Sequence, residues 1–293
     1  MLWSSLYALV AAHPMTLADA GGPLWLLPAI DVNPNILFYI GPIPVTNTLI
    51  NAWISMAITL GILIPATRKM SIIPKGLQNL VEWFVDLLLG FCSDVAGPVW
   101  GRRFLPFISS IFLFILFANW TEIIPGLDAI GTPTPGAHPV AGIFLLGSSS
   151  NKLIPWIRPA SSDLNFTLAL ALISVIVTQI YGFRVLGPQA HLGKYLTLKD
   201  PISFFVGILE IVAEFARIIS FSFRLFGNVF AGDVLLIVLG TLIPGLGATV
   251  FYPLELFVGF IQAFVFSALT LVFLSLATTG HDHGDEHAAQ SAH

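Results

Sequence analysis

The sequence predicts an all-α integral membrane protein. It should have about five membrane-crossing helices, one amphipathic helix in the membrane interface, and a long tilted hairpin made by the last two crossings. Three observations predict this. Hydrophobic residues make up 56% of the 293 and charged residues only 10%, whereas soluble domains carry about 25% charged residues. Several apolar runs reach roughly 20 residues, enough to span about 30 Å of hydrocarbon as helix. The alternating polarity of a membrane barrel is absent, which leaves the helix as the way to satisfy every backbone amide in lipid.

Residues 1–45 read as an N-terminal segment on the outer side of the membrane. The first 20 residues end in small residues, as a secretory signal does, but they lack a basic start and contain Pro14, so cleavage stays open. The first crossing runs from about Thr46 to Ala66 and stops at Arg68 and Lys69. Between Pro74 and Gly97, Leu77, Leu80, Val81, Phe84, Leu88 and Phe91 recur at helical spacing against Gln78, Glu82, Asp86 and Asp94. That pattern predicts a helix lying in the interface. A crossing from about Phe104 to Trp120 follows, then a Pro- and Gly-rich loop from Ile123 to Ser162, then an uncharged crossing from about Leu164 to Phe183.

After the polar segment Arg184–Asp200 come two long segments, about Ile202–Leu239 and Ala248–Thr279, joined at Pro244-Gly245-Leu246-Gly247. The first would be roughly 57 Å long at 1.5 Å per residue, nearly twice the hydrocarbon thickness, so a tilt is expected. Residues 46–279 are thus read as one membrane domain, and 280–293 as a His-rich, acidic tail expected to be solvated and disordered.

Basic residues orient the chain. With the N-terminus outside, Arg68, Lys69, Lys75, Arg102, Arg103, Arg184, Lys194 and Lys199 fall on the inner side and only Lys152 and Arg158 on the outer. This bias puts the C-terminus in the cytoplasm. Cys92 is the only cysteine, which excludes an internal disulfide and any zinc site of paired cysteines.

The 202–239 segment carries Glu210, Glu214, Arg217, Arg224, Asn228 and Asp233 in apolar surroundings. At 100° per residue, Glu210, Arg217, Arg224 and Asn228 fall within about 40° of one direction, with Glu214 at the edge and Asp233 opposite Arg224. A charge at mid-bilayer costs between about 2.5 and 17 kcal/mol, so each needs a partner, water or a function. Glu214 and Arg217, three residues apart, could form a structural ion pair. Arg224 is more than two turns from any acid on its own helix, which argues against a purely structural role.

The run Arg224-Leu225-Phe226-Gly227-Asn228, followed by Ala231-Gly232-Asp233, resembles the signature of F-type ATP synthase a subunits (also called subunit 6) of bacterial type. Gln262-Ala263-Phe264-Val265-Phe266 resembles that family's last helix, and Asn119-Trp120 and Asp163-Leu164-Asn165 resemble its earlier helix ends. The resemblance runs from about Leu49 to Ala277.

It implies an ion-conducting stator subunit of the membrane Fo sector, with two offset proton half-channels against a rotating ring of c subunits. Arg224 would face the ring carboxylates. A ring carboxylate in lipid is held protonated by desolvation, and a fixed guanidinium beside it restores the charged form. An arginine does not give up its own proton, so it attracts the carboxylate while blocking a direct leak.

On this resemblance Glu210 and Glu214 are candidates for the inner path, about 15–21 Å along the helix from Arg224. Asp233 and Glu255 are candidates for the outer path, with Asn228 and Gln262 beside Arg224. Gln262 shares a face with Glu255, which brings it toward Arg224. Many family members place a histidine at one of the two outer positions. Here all seven histidines lie outside the predicted helices, so Asp233 and Glu255 should act as a carboxylate pair that cannot readily carry two full charges.

The resemblance also implies the c-ring, b-type peripheral stalk subunits and the rest of the F-type complex as partners in a plasma (inner) membrane, with no nucleic acid. No catalysis by this chain alone, no cofactor and no metal are expected, since no phosphate-cradling loop, nucleophile elbow or metal-ligand cluster is present. The tail His281, His283 and His287 could at most hold a metal weakly. Glu122 and Asp128 read as ordinary loop charges that could line an entrance. A secondary transporter would suit the buried charges but should show internal repeats, and none is found. An intramembrane hydrolase would need a nucleophile or metal site in a helix.

Overall fold

The computed structural model describes residues 34–68, 70–124, 131–135, 151–187, 193, 201–242 and 246–278. The chain enters through a short antiparallel hairpin, β1 (Ile36–Ile40) and β2 (Ile43–Thr46), which leads directly into α1 (Asn47–Arg68). Then come α2 (Leu77–Glu122), a second antiparallel pair, β3 (Gly131–Pro135) and β4 (Asn151–Pro155), and a 3₁₀ turn at Ala160–Ser162. Three helices complete the order: α3 (Leu164–Leu186), α4 (Pro201–Leu242) and α5 (Leu246–Thr278). The architecture is that of an all-α membrane protein, with two small hairpins that the hydropathy pattern does not reveal.

α1, α2, α3 and α5 are long and apolar enough to cross a membrane. α1 shows why this is a lipid-facing design. Asn47, Thr48, Asn51 and Ser55 are buried on one face, while Trp53, Met56, Leu60 and Ile64 are exposed on the other. α3 repeats the arrangement, burying Thr167, Ser174 and Thr178 and exposing Leu172, Ile173, Ile176 and Ile180. Polar side chains turned inward and apolar ones outward are what helices do when the solvent is hydrocarbon.

The region expected to hold an interfacial helix and a separate crossing is two helical arms, labelled together as α2, which meet in a break at Gly97, where the amphipathic stretch of the sequence also ends. Gly97 has φ 77° and ψ 163°, backbone open almost only to glycine. The break is a reversal. Phe84 and Phe112 would lie about 42 Å apart on a straight helix, yet their rings are 5.5 Å apart. Gly101 likewise lies against the backbone of Cys92 and Ser93, where a Cβ would meet atoms at 2.8 Å.

The first arm of α2 also presents a different face from the one its periodicity suggests. Phe84 and Leu88 turn into the bundle, but Leu77 and Leu80 are exposed and Gln78 is buried. Gln78 holds the preceding turn by bonds to Ser71 and donates to Glu82 at 2.7 Å. Those polar contacts outweigh the exposure of two leucines that lipid would accept.

The core forms where α2, α3, α4 and α5 meet: Ile111, Phe112, Ile115 and Leu116 against Leu170, Ala171, Phe221, Leu225, Ala263 and Phe266. A second cluster joins Cys92, Phe104 and Ile108 of α2 to Leu271 and Leu274 of α5. Hydrogen bonds pin the helices laterally. Ser174 pairs with Thr270 at 2.8 Å, Thr167 with Ser222 at 3.1 Å, and Thr121 donates to Asn51 at 2.7 Å. The tail 280–293, Asp128 and most of the segment 1–45 lie outside the described residues, as does the side chain of Glu122.

Candidate functional site

α4 has 42 residues and carries Glu210, Glu214, Arg217, Arg224 and Asp233. Its inward face is Phe221, Ser222, Leu225, Val229 and Gly232, all buried. Because Leu225 is locked into the four-helix core, Arg224 one residue before it must point away from that core. It is exposed, and its guanidinium donates to Ser220 Oγ one turn earlier at 3.4 Å. Among the described residues no carboxylate lies within ion-pair distance of it. Ser220, Arg224, Asn228, Ala231 and Leu235 are all exposed, and their spacing places them along one stripe of the helix.

Beside this stripe α4 meets α5. Asn228 Nδ2 donates to Gln262 Oε1, bridging the two helices one turn from Arg224. Gln262 is buried, and its Nε2 has no acceptor among the described residues. Two turns back along α5, Glu255 is also buried, and the carboxylate of Asp233 acts on it electrostatically. Gly232 explains how Glu255 gets there. A Cβ at position 232 would overlap the Glu255 carboxyl, with Cδ at only 2.5 Å, so the absence of a side chain lets the acid lie against the backbone of α4.

The other charges lie before Arg224. Arg217 forms a two-pronged bond to both carboxylate oxygens of Glu214 at 2.8 Å, and its guanidinium stacks 3.9 Å over the Phe273 ring. Four residues before Glu214, Glu210 is half-buried. The structure therefore brings Asn228 together with Gln262, Asp233 with Glu255, and Glu214 with Arg217, and leaves Arg224 on the open stripe. Neither a group of three potential metal ligands nor a histidine in α1–α5 occurs among the described residues.

Residues singled out only by resemblance also acquire contacts here. Asn119 Nδ2 donates to Gly259 O and Trp120 Nε1 to Leu256 O, each at 3.2 Å. Asp163 caps α3 by accepting from Asn165 N at 2.9 Å and takes a bond from Thr48 Oγ1 at 3.2 Å. Gly232 had no signal beyond its place in the Ala231-Gly232-Asp233 run.

Comparison with known proteins gives one consistent result. The family model described as ATP synthase A chain matches residues 49–275. The chain is 32% identical to ATP synthase subunit a of Moorella thermoacetica, over 85% of this chain and 99% of that one. It is 34% identical to ATP synthase subunit a of Gloeobacter violaceus, over 89% and 95% of the two chains, and 34% identical to that of Nitratiruptor sp., over 74% and 83%. The chain belongs to the ATP synthase subunit a family.

Proposed function

We propose that this chain is the ion-conducting stator of a rotary F-type ATP synthase, and that Arg224 faces the carboxylates of the c-ring between two offset proton half-channels. The observation that carries the reading is the exposed guanidinium of Arg224, which has no carboxylate within ion-pair distance among the described residues. Its flanking stripe is built from short residues, Ala213, Ala216, Ser220 and Ala231, which would let a partner helix approach closely. An exposed charge in lipid is too costly to keep without a partner. A ring carboxylate supplies the opposite charge, and it exchanges its proton because its own charge is stabilised only next to Arg224.

The outer path enters by the Asp233–Glu255 pair and reaches the ring beside Asn228 and Gln262. The buried Nε2 of Gln262 is a donor suited to water or to the arriving carboxylate. The inner path leaves past Glu214 and Glu210. Glu214 has a double task, since its bond to Arg217 holds it in place while its position lines the exit. α4 is roughly 63 Å long at 1.5 Å per residue, so it lies tilted across the ring surface. The N-terminus faces outward and the C-terminus the cytoplasm. The c-ring, a b-type peripheral stalk and the rest of the complex are the partners, and nucleotide chemistry belongs to them.

Cross-linking tests the assignment. With Cys92→Ala to remove the native thiol, Ala231→Cys should form an oxidant-induced bond to a cysteine set beside the ring carboxylate. Trp53→Cys on α1, outside the α4–α5 unit, should not. No product from Ala231→Cys in an assembled complex would show that this stripe does not face the ring.

A further inference from the structure

We infer that Asn119 and Trp120 are positioning residues for ion transfer: they grip two carbonyls of α5 and set the height and rotation at which Glu255 and Gln262 face α4. The inference rests on the proposed ion path. Both residues end the second arm of α2. Asn119 is 2% exposed and donates to Gly259 O; Trp120 donates to Leu256 O. The two carbonyls are three residues apart, on adjoining positions of one helical face, and Glu255 and Gln262 flank them in sequence. Asn119 is itself held from behind, since its Oδ1 accepts from the buried Ser161 Oγ at 2.8 Å.

Carbonyls inside a helix already serve that helix, and each has a second lone pair to offer. These two bonds therefore are not required to satisfy α5. They help to choose its register at this end of α5, while Ser174–Thr270 and Ser275 Oγ to Val95 O hold the helix further along. The remaining contacts between α2 and α5 come largely from Phe, Leu and Ile side chains, whose attraction is non-directional. Slipping α5 by one residue would move its groups by about 1.5 Å and turn them by about 100°. Such a slip would part Gln262 from Asn228 and Glu255 from its seat on Gly232. Gly259 permits the grip to be close, because a Cβ there would stand 3.2 Å from Asn119 Cβ.

That short approach allows the polar grip to be exchanged for a covalent one. Disulfides join Cβ atoms about 3.5–4.5 Å apart, so Asn119→Cys with Gly259→Cys in a Cys92→Ala background needs only a few tenths of an ångström of adjustment. The assay is ATP-driven proton pumping by the whole synthase in inverted membrane vesicles, with membrane-bound ATPase as the measure of assembly. Reduced, the pair should pump about 10- to 100-fold more slowly than the parent, as expected for reacting groups displaced by an ångström or so. Oxidation should restore most of the rate.

Parental pumping in the reduced state would overturn the inference. So would a disulfide that forms without recovery, since Asn119 would then act through its amide chemistry and not through position. Should the double variant not assemble, Trp120→Phe, which removes the N–H together with part of the ring but keeps an aromatic side chain, decides: slowed pumping supports the grip and an unchanged rate refutes it. Arg224→Ala assayed alongside separates the two levels. Unimpaired pumping there would remove the ion-path reading itself, whereas failure of the cysteine pair alone would remove only the grip.

Discussion

Gly232→Ala is the substitution whose consequence can be worked most directly from the geometry. The new Cβ would stand 2.5 Å from Glu255 Cδ, and ordinary contact begins at 3.4 Å, so the carboxyl must retreat by about 1 Å. The obstacle is the far end of a flexible side chain and not backbone, so α4 and α5 should keep their packing, and the subunit should still assemble. What changes is where the acid sits relative to Asp233 and to the proposed route toward Gln262. A misplacement of this size in a group-transfer site costs up to about 100-fold in rate. ATP-driven pumping in inverted vesicles should therefore fall by 10- to 100-fold while membrane-bound ATPase is retained.

Glu255→Asp shortens the side chain by one methylene and should recover part of the loss in the Gly232→Ala background while being harmful by itself. That sign reversal isolates position from charge. Normal pumping by Gly232→Ala, or no coupling between the two changes, would refute the claim that Glu255 works from its seat on Gly232.

Two further substitutions test the scaffold that holds this geometry. Gly97→Ala should destabilise by on the order of 1–3 kcal/mol through backbone strain alone, since a Cβ there meets no atom within 4 Å; lowered incorporation of the subunit into the synthase would register it, and normal incorporation would contradict it. Asp163→Ala removes the cap of α3 and the acceptor of Thr48, together about 2–4 kcal/mol, whereas Asp163→Asn should keep most of the stability. Thermal unfolding of the detergent-solubilised complex compares the two, and equal losses would show that capping is not the residue's main role.

Much of this molecule is legible because lipid makes helices announce themselves. The apolar runs marked α1, α3 and α5 to within a few residues, and the charges of α4 stood out against their surroundings. Helical phase alone put Glu255 and Gln262 on one face of α5. The boundary at Gly97 was legible too, as the end of the amphipathic run, but the folding of the two arms onto each other there was not, because the only cue is a single Gly-Pro pair. The exposure of Leu77 and Leu80 was hidden for a related reason, since amphipathic patterns assume water on one side, and in lipid an exposed leucine costs little.

The short hairpins β1–β2 and β3–β4 carry no alternation strong enough to announce strands, and each holds prolines within it. The seat of Glu255 on Gly232, and the bonds from Asn119 and Trp120 to α5, depend on close approach of helices distant in sequence. No periodicity encodes such approach.

The central claim is that Arg224 couples proton movement to the ring, and Arg224→Ala in membrane vesicles tests it most directly, with ATP-driven pumping, passive proton leak and assembly measured together. The account predicts an assembled complex that no longer pumps and whose passive leak is altered, because the charge that attracts ring carboxylates and separates the two paths is gone. Pumping retained at the parental rate would contradict it and would leave Arg224 a structural charge on the open stripe of α4.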